Sequence, residues 1–245
     1  MTLALLIIIV FGIFIIYIAS KTTTKDIEII IGQKRDIKEL GTRIQNVLDS
    51  EKTEKKQERK LGSIATEASK LFKDRRFKQS EKKFLSVIKA DHKNVKAYQG
   101  LGLIYLEQKE YNGAAEAFEK VCELSPTNDS AFNNLGLARF NSGKFEEAIK
   151  AYEQSVALDS KKVHRFNNLA LAAQKANKPK VEVSALEHVV VLEPNNIEYV
   201  EKLADAAVRA DDKKVAKKAL EKIVEMDPSH LDAQRSLARL DNNKL

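Results

Sequence analysis

Residues 95–128 read VKAYQGLGLIYLEQKEYNGAAEAFEKVCELSPTN, and their pattern returns every 34 residues on both sides. With Val95 as position 1, Tyr98, Leu101, Gly102, Tyr105, Ala114, Phe118, Val121 and Pro126 fall at positions 4, 7, 8, 11, 20, 24, 27 and 32. One step onward come Phe132, Leu135, Gly136, Ala148 and Tyr152, then Phe166, Leu169, Ala170, Leu186, Val189 and Pro194. A third step gives Leu203, Ala204, Ala216, Leu220, Ile223 and Pro228, and a step backward gives Ile64, Ala68, Leu71, Phe84 and Val87. Each copy holds two amphipathic runs joined by a polar turn, which predicts a helical hairpin. Small residues at positions 8 and 20 let its two helices approach closely, and large apolar residues at 4, 7, 24 and 27 fill the space between hairpins. One hairpin cannot bury its apolar face alone, so the copies must stack.

A 34-residue period with these residue types resembles the tetratricopeptide repeat (TPR) family. The resemblance implies an all-α solenoid of about five helical hairpins, at residues 61–94, 95–128, 129–162, 163–196 and 197–230. Residues 231–245 then supply the polar capping helix that a solenoid end requires, and a tail. Three positions depart from the pattern: Ser80 and Glu182 replace the small residue at position 20, and Arg139 replaces the large one at 11. Pro179 opens the second helix of the fourth copy. Looser packing is expected at these places.

Ahead of the repeats, residues 3–19 (LALLIIIVFGIFIIYIA) carry no charge, and residues 1–20 are long enough for a membrane-spanning helix. No Lys or Arg precedes the run, unlike the start of a cleaved secretory signal, so an uncleaved anchor is expected. Lys21, Lys25, Lys34, Arg35 and Lys38 follow it, which predicts a single-pass membrane protein with its N-terminus outside and its repeats cytoplasmic. Only the opposite orientation would expose the Asn128-Asp129-Ser130 sequon to glycosylation; otherwise Asn128 or Asp129 caps a helix. Residues 21–60 form a helical stalk or linker. Ile30, Ile37 and Ile44 recur every seven residues with Leu40 and Val47 between them, a short stripe suited to weak homo-oligomerisation. The other reading of this stripe is a single amphipathic helix.

Composition removes several function classes. The net charge of +7 is mild and interspersed, unlike a nucleic-acid footprint, so no nucleic-acid partner is expected. With the lone Cys122, neither an intrachain disulfide nor a thiolate metal cluster can form. His92, His164, His188 and His230 have no metal-like spacing, and no phosphate loop, nucleophile elbow or HExxH motif occurs. No enzyme activity, catalytic residue, metal or cofactor is expected.

The resemblance places the first helix of each hairpin on an inner, concave groove. Facing positions hold Lys96 and Gln99, then Asn133, Asn134 and Leu137, then Asn167, Asn168 and Leu171, then Lys202. The phrases FNNLGLA and FNNLALA nearly repeat, which puts Asn134 and Asn168 at position 6 of successive hairpins. In TPR proteins similar asparagines contact the main chain of an extended peptide, since an amide offers both the donor and the acceptor a peptide bond needs. Leu137 and Leu171 would receive apolar side chains. The carboxylate clamp of the chaperone-tail-binding TPR proteins is built of Lys, Asn and Arg. Its positions here hold Gln99, Leu103, Asn134, His164 and Asn168, without the strong cations, so chaperone C-terminal tails are not expected ligands. The expected role is a membrane-anchored adaptor or scaffold that binds a protein or peptide segment. Rival roles are an exported envelope-facing assembly factor or holdase, and a non-catalytic regulatory subunit of an enzyme.

Overall fold

The computed structural model describes residues 24–241 of the chain, and among them every regular element is an α-helix. The chain divides into two compact units, residues 1–62 and 63–245.

Helix α1 (Thr24–Lys73) is a run of 50 residues without a proline, and no helix end falls at residue 60. Its first-unit part is rich in good helix formers and is stitched by pairs one turn apart, such as Arg43 with Glu39 at 2.8 Å. Leu40, Ile44, Val47 and Leu48 are exposed there.

The expectation of a single-pass membrane protein with cytoplasmic repeats is corrected. Among the described residues no helix is long and apolar enough to cross a membrane. Helix α1 has the length but is charged throughout, and helices of 13 or 14 residues reach only about 20 Å of a roughly 30 Å hydrocarbon core. The run at 3–19, expected to be the anchor, lies outside the described residues.

In the second unit the end of α1 is followed by α2 (Phe77–Ala90), α3 (Val95–Glu107), α4 (Tyr111–Leu124), α5 (Asp129–Asn141) and α6 (Phe145–Leu158). Then come α7 (Val163–Lys175), α8 (Pro179–Leu192), α9 (Ile197–Arg209), α10 (Lys213–Met226) and α11 (Leu231–Asp241). From α3 onward each helix packs on the one before it, building a solenoid of antiparallel hairpins. Helix α2 is tied to the end of α1 by Ser80 and Lys83, which donate to the Ala68 carbonyl and the Glu67 carboxylate. Helices α3, α5, α7 and α9 start 34 residues apart.

The turn inside each hairpin explains why the interval holds. Position 15 adopts a left-handed backbone in all five copies: Arg75 (φ 57°), Lys109 (61°), Gly143 (78°), Asn177 (54°) and Asp211 (55°). The next N–H then reaches back five residues, as from Glu110 to the Tyr105 carbonyl at 2.8 Å, which ends the first helix. Only Gly143 makes this turn without a Cβ penalty. Between hairpins, Asn94 and Asn128 accept hydrogen bonds from Ala97 and Ala131 N–H at 3.1 and 3.0 Å and so start α3 and α5.

The hairpins close on one contact. A Cβ at Gly102 would lie 2.7 Å from the Phe118 ring, and one at Gly136 would lie 2.6 Å from the Tyr152 ring. Where position 8 is alanine, in Ala170 and Ala204, position 24 is leucine, in Leu186 and Leu220. The first copy pairs Ala68 with Phe84, and this ring instead fills the space beside Gly100, where a Cβ would meet it at 2.2 Å.

The departures do not loosen the packing. Ser80 is fully buried and its hydroxyl donates to the Ala68 carbonyl at 2.8 Å. Arg139 pairs with Glu119 of the preceding hairpin and Glu147 of its own. Pro179 stands at the first turn of α8, where no N–H partner is needed. Each polar intruder is offset by a partner, so the expectation of looser packing is corrected.

Two variants test this account by urea denaturation. Gly136→Ala should cost about 1–3 kcal/mol through overpacking against Tyr152, and adding Tyr152→Leu should restore much of it by copying the pairing of the fourth and fifth hairpins. Lys109→Gly should raise stability by about 1 kcal/mol by removing a left-handed residue with a Cβ.

Candidate functional site: the face of the first helices

Helices α3, α5, α7 and α9 present equivalent positions to one face. Position 9 places Leu103, Leu137 and Leu171 in series; Leu103 is 38% and Leu171 45% exposed, a large apolar presence for a solvent-facing row. Position 9 of α9 is Asp205 instead.

Between α7 and α9 runs a groove of about 390 Å³. Asn167, Asn168, Leu171 and Gln174 form one wall, Glu198, Tyr199, Lys202, Asp205 and Arg209 the other, and Glu182 and Leu186 of α8 the floor. Glu182 is 4% exposed, yet its carboxylate is satisfied: Arg209 donates to it at 2.6 Å and Gln174 at 3.2 Å. One buried acid therefore links three helices. Lys202 donates to Glu198 at 2.6 Å and lies 5.4 Å from the Tyr199 ring centroid.

The asparagines span hairpins. The Asn168 amide N–H donates to Asn133 Oδ1 at 3.2 Å, which fixes both side chains and leaves Asn168 Oδ1 and Asn133 Nδ2 for another partner. Asn134 is half-buried on α5 without a side-chain hydrogen bond among the described residues. Of the residues nominated from sequence, Asn167, Asn168, Leu171 and Lys202 line the groove. Asn133 joins it through Asn168, and Asn134 and Leu137 lie one hairpin back. Lys96 and Gln99 are on α3, apart from it.

Two stretches match models described as TPR repeat, at residues 102–143, and tetratricopeptide repeat, at residues 130–162. A third match to a model of the latter description covers residues 201–240. The chain carries tetratricopeptide repeats. No curated protein sequence matches it. Among solved structures, the TPR protein YrrB, described as having an unusual peptide-binding site, aligns with a TM-score of 0.58 and 17% identity over 71% of this chain and 89% of its own. MamA aligns with a TM-score of 0.59 and 23% identity over 70% of this chain and 96% of its own. A structure of Naa15/Naa10 bound to HypK-THB gives 0.62 and 16% identity over 76% of this chain and 29% of the other. At these identities the likeness is one of fold.

A second polar cluster holds the third and fourth tetratricopeptide repeats together. Arg165, 5% exposed, pairs with Asp129, lies 3.6 Å from Asp159 and donates to Ser130 Oγ at 3.3 Å. Burial works against the Asp129 charge, but the hydrogen bond and charge of Arg165 outweigh it and hold the carboxyl below its ordinary value.

Three other reactive side chains, Cys122, His188 and His230, are occupied structurally. Cys122 is buried, which pushes its thiol up to about 11 and leaves little thiolate near neutral pH. His188 stacks on Phe166 at 4.8 Å, and His230 accepts from Ala233 N–H at 3.2 Å while its other ring nitrogen meets Glu201 at 2.8 Å. Among the described residues no group of three or more His, Cys, Asp or Glu could hold a metal ion. The sequence places Asp205 and Arg209 at groove-facing positions 9 and 13 of the fifth copy but gives no such place to Glu182 and Tyr199. The signal available for Glu182 was a glutamate where the repeat requires a small residue.

Because its pKa is depressed on folding, the Asp129 carboxylate contributes stability that is present above about pH 4 and lost as pH falls through its folded value. Asp129→Asn should therefore destabilise the protein at pH 7, and the difference from wild type should shrink below pH 4, read by urea denaturation at each pH.

Proposed function

We propose that this chain is a non-catalytic protein-interaction scaffold whose first-helix face holds an extended segment of another protein. The supporting observation is the hairpin-to-hairpin asparagine bridge, in which Asn168 and Asn133 fix each other beside a groove and still offer an acceptor and a donor. An extended main chain carries the complementary groups at every residue. Asn134 and Asn167 supply further amides, and Leu137 and Leu171 supply apolar contact for side chains pointing inward. Lys202 closes the distal wall, while Lys96 and Gln99 of α3 extend the same face toward the N-terminal hairpins. YrrB, of similar fold, is described as having a peptide-binding site, and a second structure of this fold was solved in a protein complex.

Peptides selected on the full chain from a random displayed library test the reading. The combined Asn134→Ala and Asn168→Ala variant should bind them about tenfold more weakly, the sum of two net hydrogen-bonding contributions, with unchanged helicity by circular dichroism. Unaltered affinity would move the binding surface elsewhere on the molecule.

A further inference from the structure

We infer that this face selects an extended segment carrying apolar side chains about three residues apart and a cation one step beyond the last of them. The inference rests on the peptide reading above and adds the chemistry of the ligand.

The apolar part follows from position 9. Leu103, Leu137 and Leu171 occur at the same place in three successive hairpins and stay at least partly open to solvent. First helices of neighbouring hairpins are close enough for Asn168 to bond Asn133, so their axes lie about 10 Å apart. A chain in the extended polyproline II conformation advances about 3.1 Å per residue with about three residues per turn, so one turn covers one hairpin and every third side chain returns to the same face. Side chains at that spacing would fall on one leucine after another.

The cation follows from what replaces leucine in the fifth hairpin. The groove walls and floor carry three carboxylates, Glu182, Glu198 and Asp205, and two cations, Lys202 and Arg209. Arg209 is held by Glu182 and Lys202 by Glu198, each at 2.6 Å. Asp205 is exposed and has no ion-pair partner among the described residues, which leaves one uncompensated negative charge. It stands in the same series as Leu171, and both line the groove. A ligand residue one step past the apolar series therefore meets a carboxylate that only a Lys or Arg would match, while an acidic residue there would be repelled.

Fluorescence anisotropy with the full chain and labelled synthetic peptides provides the test. The probes are Leu-Ser-Ser-Leu-Ser-Ser-Leu-Ser-Ser-Arg, the same peptide ending in Glu, and both in reversed order to allow either chain direction. In one direction the arginine peptide should bind about fivefold or more tighter than the glutamate peptide, a preference that shrinks as salt rises. Asp205→Asn should abolish the preference, whereas Leu171→Ala should weaken both peptides alike. Equal binding of the two by wild type, or a preference that survives in Asp205→Asn, overturns the charge selection. In that case the peptide reading still stands if Asn134→Ala with Asn168→Ala weakens both peptides. Absence of saturable binding by every probe overturns both.

Discussion

Every hairpin depends on how closely its two helices approach at positions 8 and 24. Gly102 accommodates the Phe118 ring and Gly136 the Tyr152 ring, at distances where even a methyl group would collide. Phe118 and Tyr152 are buried to within 1% of full enclosure, so the apolar area they remove from water drives closure while the glycine permits it. The leucine and alanine pairs of the fourth and fifth hairpins solve the same volume problem with the bulk shifted from one helix to the other. Phe84 shows the cost of breaking the pairing. With alanine already at position 8, its ring occupies the space at Gly100, and the second hairpin has no amide at the position where the next two carry Asn134 and Asn168.

Polar groups within the stack mark where hairpins are tied to one another. Arg139 reaches glutamates of two hairpins, Arg165 reaches Asp129 across a junction, and Glu182 is held by a residue of the hairpin after it. Buried charges of this kind add little net stability compared with apolar contacts of similar volume. Their geometry instead specifies which helix faces which. At Glu182 the same device shapes the groove: the acid fixes Arg209 on one wall and Gln174 on the other. The proposed binding face and the register of the last hairpins thus share one side chain.

That face is poor in unpaired charge and rich in amides over its centre, with an apolar row beside them. Such a surface suits a main chain more than an acidic or basic patch does, because amides match peptide groups without the desolvation penalty of ions. The buried thiol and the packed histidines contribute to structure in the same repeats.

Hairpin number, helix pairing and the face bearing Asn134 and Asn168 were legible in the sequence, since a 34-residue period of small and large residues admits few arrangements once hairpins must stack. The left-handed turn at position 15 was hidden, because Arg, Lys, Asn and Asp stand there beside a single glycine. The sequence also read Glu182 and Arg139 as flaws, since a position within one repeat says nothing of a partner 20 or more residues away. Only the tertiary structure decided that these charges are paired, that Asn133 and Asn168 meet, and that Asp205 is left over. The physical reason is that local periodicity sets which way a side chain faces, whereas packing between hairpins sets what it finds there.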